Sequence, residues 1–220
     1  MKEEVFIETE ESKYGSYIVD FDGTMYDQPS LRKRMALKML LFCLIKPWRA
    51  KEIYVIYLYR KQRESGKAFA GKNGEQNELL EIARKVKWEE NKTKSVIYNW
   101  MVELPGTVIE KTRDSGLIGF LEKQQRDGKK VILYSDYPLE EKMQYIGYKP
   151  DAHYYSGDAG INCLKPDNKG LEYIIKKNGL ERDKTLFIGD RMEKDGECAV
   201  KSKIAYLILP RRVSNRKWKK

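Results

Sequence analysis

Tyr17-Ile18-Val19-Asp20-Phe21-Asp22-Gly23-Thr24 is the stretch that decides the fold of this chain. Ser16 to Val19 are β-prone and run into Phe21, the pattern of a short buried strand. Two carboxylates come next, two positions apart. On extended backbone, residues i and i+2 point the same way, so Asp20 and Asp22 share one face. Like charges that close repel each other, which is costly for a purely structural strand end. A divalent cation or an incoming phosphate gives the pair a reason. Gly23 then breaks the strand, and Thr24 opens the next segment. Acids at the carboxyl end of a buried strand stand where open α/β sheets place their active sites. A solvated turn rich in Asp and Gly is the plainer alternative, and the stretch alone does not separate the two.

Beyond Leu104-Pro105-Gly106 the sequence takes up a strand-and-helix rhythm. Leu117 to Gln125 reads as a helix closed by Asp127-Gly128, and Lys130 to Ser135 as a buried strand. Pro138 to Tyr145 is a helix and Ala152 to Ser156 a short strand. Asn168 to Lys177 is a helix capped by Asn178-Gly179. Thr185 to Gly189, Met192 to Lys201 and Ile204 to Leu209 continue as strand, helix and strand. Strands alternating with helices predict an α/β fold: a Rossmann-like parallel sheet with helices on both faces, joined by the opening strand at Tyr17.

Residues 25 to 104 lack that rhythm. Leu31 to Ile45 has helical spacing, with Arg34 and Lys38 on one face, Leu37, Leu40, Leu41 and Leu44 available for burial, and a stop at Pro47. Glu52 to Arg63 suits a helix or a strand. Gly66, Gly71 and Gly74 mark a loop. Glu75 to Lys87 and Thr93 to Glu103 are helical again. The expected organisation is a Rossmann-like core from residues 1–24 and 105–220, with a mostly helical cap from residues 25–104. Residues 1–15 read as a frayed lead-in with one edge strand at Val5 to Ile7.

At 220 residues the chain can bury one sizeable core and a smaller unit. Its net charge of +10 points to anionic partners: phosphorylated metabolites, nucleic acid or an acidic membrane surface. Cys43, Cys163 and Cys198 show no metal-ligand spacing and read as reduced thiols of a cytoplasmic protein. The start carries no apolar signal core. No run reaches the roughly 18 to 20 apolar residues of a membrane span.

The polar residues that stand out each succeed a strand or precede a helix. Asp20 and Asp22 come after the first strand and Ser135-Asp136 after the second. Lys165-Pro166 precedes a helix. Gly189-Asp190-Arg191-Met192-Glu193-Lys194-Asp195 comes after a later strand. In a parallel sheet these ends converge on one rim. Carboxylates that hold Mg²⁺, with Lys165 and Ser135 to neutralise the other oxygens, make a cradle for a phosphoryl group. Taken singly, Ser135 is a turn or cap residue, Lys165 a surface lysine and Asp190 a helix cap. Asp136 reads as a cap or turn residue, and His153, the sole histidine, as structural.

In that order and context, Asp20-Phe21-Asp22-Gly23-Thr24, Ser135, Lys165 and Gly189-Asp190 with Asp195 resemble the four motifs of the haloacid dehalogenase superfamily of phosphohydrolases. The resemblance covers residues 16–24 and 105–209. The helical insert is similar to the cap of the superfamily's first subclass. The resemblance implies an Mg²⁺-dependent phosphatase in which Asp20 is the nucleophile and forms an aspartyl-phosphate. Asp22 would be the general acid and then the base. Ser135, Lys165 and Thr24 would bind phosphate, and Asp20, the Asp22 carbonyl, Asp190 and Asp195 would serve the metal. The superfamily's dehalogenases lack the second acid, so Asp22 favours phosphate chemistry.

A phosphotransferase or phosphomutase would use the same intermediate. A non-catalytic module on this fold, holding membrane or nucleic acid, is the other alternative. The basic tail Arg211 to Lys220, and Arg32, Lys33, Arg34 and Lys38 beside apolar Met39 to Ile45, fit a weak contact with an anionic membrane. That would place the protein at the inner membrane face, with a lipid-linked phosphate as substrate. A solvated tail and an ordinary cap helix are the plainer reading. Nucleic acid is disfavoured, because aromatic and basic residues are not interleaved along a strand platform.

Overall fold

Ser16–Asp20 forms β2, the middle strand of the main sheet in the computed structural model, which describes residues 13–65 and 74–218 and the backbone of Val5–Ile7. Beside it run β3 (Lys130–Ser135) and β5 (Thr185–Gly189). Outside these lie β4 (Ala152–Tyr155) and β6 (Ala205–Ile208). All five strands are parallel, in the order β4-β3-β2-β5-β6. The chain winds outward from β2 to one side, then returns to the other, so the switch point lies between β2 and β5. Ligands of open α/β sheets bind at such a crevice, beyond the carboxyl ends of the strands.

The helices are α1 (Gln28–Ile45), α2 (Lys51–Glu64), α3 (Gly74–Val86) and α4 (Glu90–Tyr98), then α5 (Leu104–Thr112), α6 (Ser115–Arg126), α7 (Glu140–Ile146), α8 (Lys169–Asn178) and α9 (Glu197–Lys201). Helices on both faces explain the unbroken apolar strands, since alternate residues go to opposite sides. Tyr17 and Val19 pack with Leu117 and Leu121 of α6. Ile18 packs with Leu171 and Ile174 of α8 and Ala199 of α9.

The insert between β2 and β3 has its own core of Met35, Val55, Ile56, Tyr59, Ile82 and Trp100. Asp27 starts α1 by accepting a hydrogen bond from Ser30 N at 2.8 Å, with Pro29 in the first turn, and the helix stops before Pro47. The ambiguous run from Glu52 is helix α2. Two expectations need correction. Leu37, Leu40, Leu41 and Leu44 are exposed, while Leu31, Met35, Met39 and Phe42 of the opposite face pack inward. Helical spacing identifies an apolar stripe, but α1 has two and spacing does not say which is covered. Leu104-Pro105-Gly106, where the strand-and-helix rhythm was expected to begin, opens α5. Pro105 sits in the first turn of α5, where a missing N–H costs nothing, and a wide turn at Asn99–Glu103 leads straight in from α4.

The second correction concerns the tail, which is more than a solvated run as far as Trp218, its last described residue. Arg216–Trp218 forms β7, parallel to β1 (Val5–Ile7), the edge strand expected there. The buried Arg216 donates to Gly23 O, Thr24 O and Asp114 Oδ2, bracing the turn after β2, and Trp218 stacks on Phe120 at 5.4 Å. Residues 1–4 and 8–12 of the lead-in, with Gly66 and Gly71 of the loop, lie outside the described residues, while Tyr14 packs on the core.

Arg63 at the end of α2 joins the insert to the sheet. It is fully buried, pairs with Glu78 at 3.0 Å and Glu75 at 3.1 Å, and donates to Asp136 O beyond β3. Tyr59 and Tyr137 flank it at 4.7 and 5.2 Å. Removing one partner of a buried pair strands the other, so Arg63→Met should cost roughly 3–5 kcal/mol in urea unfolding. A cost below about 1 kcal/mol would show that the joint contributes no more than a surface ion pair.

Candidate active site

The carboxyl ends of β2, β3 and β5 bring their polar residues to one cavity of about 110 Å³, lined among others by Asp20, Asp22, Lys165, Asp190 and Asp195. Asp20 ends β2. Lys165 Nζ donates to Asp20 Oδ1 at 2.5 Å and to Asp195 Oδ1 at 2.6 Å. Asp195 Oδ2 accepts from the backbone N–H groups of Asp190 and Arg191. Asp20, Asp190 and Asp195 each place one carboxylate oxygen within 4.8 Å of the others. Across the cavity, Asp22 accepts from Ser135 Oγ at 2.9 Å, Tyr26 OH at 2.7 Å and Lys142 Nζ at 2.6 Å.

Asp22 does not reach the cavity by strand alternation. The strand ends at Asp20, the chain turns with Met25 N bonded to Phe21 O, and Gly23 takes φ +105°. A Cβ on Gly23 would lie 2.6 Å from Asp190 Oδ2, so glycine is needed both for the backbone and for the close approach.

The two acids are tuned in opposite directions. Burial raises the Asp20 pKa well above the ordinary carboxylate range; Lys165 opposes this, and Asp195 and Asp190 add to it. Burial also acts to raise Asp22, but the Lys142 charge, with hydrogen bonds from Lys142, Tyr26 and Ser135, outweighs it and holds Asp22 low. Asp190 is pushed up to about 6 by burial and by Asp195, against Lys165. By itself this tuning favours a protonated Asp20 and an ionised Asp22; a cation among the carboxylates would displace the Asp20 proton, and a phosphate dianion beside Asp22 would raise its pKa against Lys142.

Solved structures share this architecture. The 2-haloacid dehalogenase from Pseudomonas syringae pv. tomato superposes with a TM-score of 0.60 at 9% identity, over 89% of this chain and 86% of that one. YfnB from Bacillus subtilis, a candidate HAD-hydrolase bound to magnesium, gives 0.55 at 16% identity over 90% and 87%. A candidate phosphoglycolate phosphatase from Lactobacillus delbrueckii subsp. bulgaricus gives 0.52 at 18% identity over 91% and 88%. The fold is that of the haloacid dehalogenase superfamily. No protein-family model matches the sequence, and no curated protein matches it.

On this haloacid dehalogenase fold, five of the seven residues named for the site line the cavity, and Thr24 and Ser135 bond to two of them, Asp20 and Asp22. Thr24 is buried and donates its hydroxyl to Asp20 Oδ2 at 2.9 Å. Ser135 gives its proton to Asp22 and accepts from Tyr137 N. Asp136 is a bracket beneath the site, holding Ser156 Oγ, Lys165 N and Lys194 Nζ. His153 is exposed on β4. Lys142 and Tyr26 are partners that the sequence does not announce. Lys142 lies 120 positions from Asp22 and is one of 43 basic residues. Tyr26 stands four positions after Asp22 and could have been suspected from that spacing.

The carboxylate cluster fits a divalent cation. Among the described residues, both side-chain oxygens of Asp190 are buried without a hydrogen-bond partner, and one lysine faces three acids. Raised carboxyl pKa values mean that the folded chain holds these protons more tightly than the unfolded chain. The stability they lend is full at low pH and is lost as pH climbs from the ordinary carboxylate value through about 6 for Asp190. A cation competes with those protons. Mg²⁺ at about a hundred times its Kd should stabilise by about 2.7 kcal/mol. Thermal unfolding should show a larger Mg²⁺ shift at pH 7.5 than at pH 5; an absent shift, or one larger at pH 5, contradicts a cation at this cluster.

Proposed function

We propose that the protein is a phosphomonoester hydrolase of the haloacid dehalogenase superfamily, with Asp20 as nucleophile and Mg²⁺ as cofactor. One observation carries the reading: Asp20, Asp22, Lys165, Asp190 and Asp195 line a single cavity, with the first acid in the carboxylate cluster and the second across from it. An Asp20 oxygen attacks phosphorus as the bond from phosphorus to the leaving alcohol breaks, and Asp22 gives that alcohol its proton. Water then attacks the aspartyl-phosphate at phosphorus. Asp22 takes the water proton, the bond to Asp20 breaks, and inorganic phosphate leaves.

Thr24 and Lys165 fix the Asp20 carboxylate. Lys165 also keeps a positive charge beside the nucleophile as the dianion approaches. Asp20, Asp190 and Asp195 would hold Mg²⁺, which supplies charge neutralisation and polarisation of a phosphoryl oxygen. The helical insert serves as the cap that roofs the cavity with Arg32, Met35, Ile56, Arg60 and Trp100.

The test is release of inorganic phosphate from p-nitrophenyl phosphate by the full chain with and without Mg²⁺. Mg²⁺-dependent turnover is expected. A mutase would instead require a bisphosphorylated intermediate and release little phosphate. No turnover with any divalent cation, or turnover unaffected by chelation, contradicts the assignment.

A further inference from the structure

Helix α1 has two apolar faces. The inner one packs on the insert core, while the outer one is uncovered and takes no part in the chemistry of the carboxylates. Leu37, Leu40, Leu41 and Leu44 recur at helical spacing along that outer face, with Leu44 exposed to 70%. The helix runs on into Ile45 and, through a tight turn at Pro47–Arg49, to Trp48, exposed to 76%. Tyr54 and Tyr57 stack on one another at the exposed face of α2. Of the twelve large apolar side chains exposed among the described residues, eight lie between Leu37 and Tyr57. A contiguous exposed apolar surface marks a docking site, whereas scattered single residues do not.

Charge says what docks there. From Gln28 to Lys51 the chain has seven lysines and arginines and no acid. Lys33 and Arg34 are exposed near one end of the leucine stripe, and Lys46 and Lys51 at the other, where Arg49 is paired with Glu52 at 2.5 Å. An apolar helix face with basic ends and an exposed tryptophan is the make-up of a helix lying in the interface of an anionic bilayer. No helix among the described residues is long and apolar enough to cross a membrane, so the geometry is that of a helix lying on the surface.

A second observation points the same way. The other side of this helix forms part of the cavity wall. Leu31, Met35 and Met39 line it together with Ile56, Trp100 and Ile109, an apolar strip bordered by Gln28, Arg32, Arg60 and Glu64 of α1 and α2. An alkyl chain would find apolar partners along that strip, with the arginines left to meet an anionic headgroup.

We propose that the outer face of α1 and the Pro47–Arg49 turn seat the protein on an anionic lipid surface, and that its substrate is a lipid-borne phosphomonoester whose chain lies along the apolar wall. The docking half stands on the surface alone; the substrate half rests on the phosphohydrolase reading above.

The experiment uses the full chain with Mg²⁺ and two kinds of vesicle: phosphatidylcholine alone, and phosphatidylcholine with about one-third phosphatidylglycerol. Sedimentation should show binding at least about tenfold stronger to the anionic vesicles, weakened at high salt. Leu40→Glu/Leu44→Glu should lose about tenfold or more of that binding, and Trp48→Ala a smaller part. None of these positions lines the cavity, so hydrolysis of soluble p-nitrophenyl phosphate should be unchanged, which also reports that the variants are folded. Phosphatidate in the anionic vesicles should be turned over at least about tenfold more efficiently than glycerol 3-phosphate, and the double variant should lose that preference.

Equal binding to neutral and anionic vesicles, or a double variant that binds as the parent does, overturns the docking surface. So does a dimer in sedimentation velocity that the double variant dissociates, because a second copy then covers the face. Hydrolysis of p-nitrophenyl phosphate without preference for phosphatidate overturns only the lipid substrate. Vesicle binding by a chain that releases phosphate from neither compound upholds the docking surface and overturns the reaction proposed above.

Discussion

Asp20→Asn should lower phosphate release by roughly a thousandfold or more while the protein stays folded. The amide keeps the shape of the carboxylate but is no nucleophile. Stability should hold for a separate reason. Burial, with Asp195 and Asp190, raises the Asp20 pKa above its unfolded value even against Lys165. The stability contributed by such a group is complete below the unfolded pKa and disappears as pH passes through the folded one. Near neutral pH its replacement by a neutral group therefore relieves the cluster. Lys165 keeps its bond to Asp195 at 2.6 Å. The melting temperature without Mg²⁺ should be equal to or above that of the parent. An active variant would show that another group attacks phosphorus; a variant melting well below the parent would show that the Asp20–Lys165 pair holds the fold.

Asp22→Asn is the second large effect, and it should depend on the leaving group. An alkyl alcohol needs a proton to depart, so alkyl phosphates should lose about 10²- to 10⁴-fold, the usual worth of general acid–base catalysis. Nitrophenolate leaves without help, so p-nitrophenyl phosphate should still form the aspartyl-phosphate. Its hydrolysis then lacks a base, and a stopped-flow burst of nitrophenol should precede slow turnover. The Lys142 contact gives this test a second arm. In the free protein Lys142 is the main opponent of the burial that would raise Asp22. Lys142→Met should let the Asp22 pKa rise and move the pH limb that requires its proton to higher pH. Equal losses for both esters with no burst would remove Asp22 from the proton transfers.

The sheet was legible because its strands are buried on both faces. Unbroken runs such as Tyr17–Val19 and Val131–Tyr134 leave little room for another reading. Most of the seven motif residues were legible because they lie within a few positions of a strand end, where topology makes distant segments meet. Side-chain allegiances were not. A hydroxyl has one proton, and sequence does not say that Thr24 gives it to Asp20 and Ser135 to Asp22. Lys142 was hidden by distance along the chain, and the tail by its charge. Arg216 looks like any solvated arginine until its bonds to Gly23 O and Thr24 O are seen. For α1 the sequence offered two apolar stripes, and only packing shows which is left bare.

That Asp20 carries the phosphoryl group is the central claim. Rapid acid quenching of the full chain with p-nitrophenyl phosphate and Mg²⁺, with peptide mass spectrometry of the products, tests it directly. One phosphoryl adduct on Asp20 is predicted, removed by hydroxylamine as an acyl phosphate must be and absent from Asp20→Asn. Turnover with no adduct under any quench, or an adduct on another residue that survives in Asp20→Asn, would contradict it.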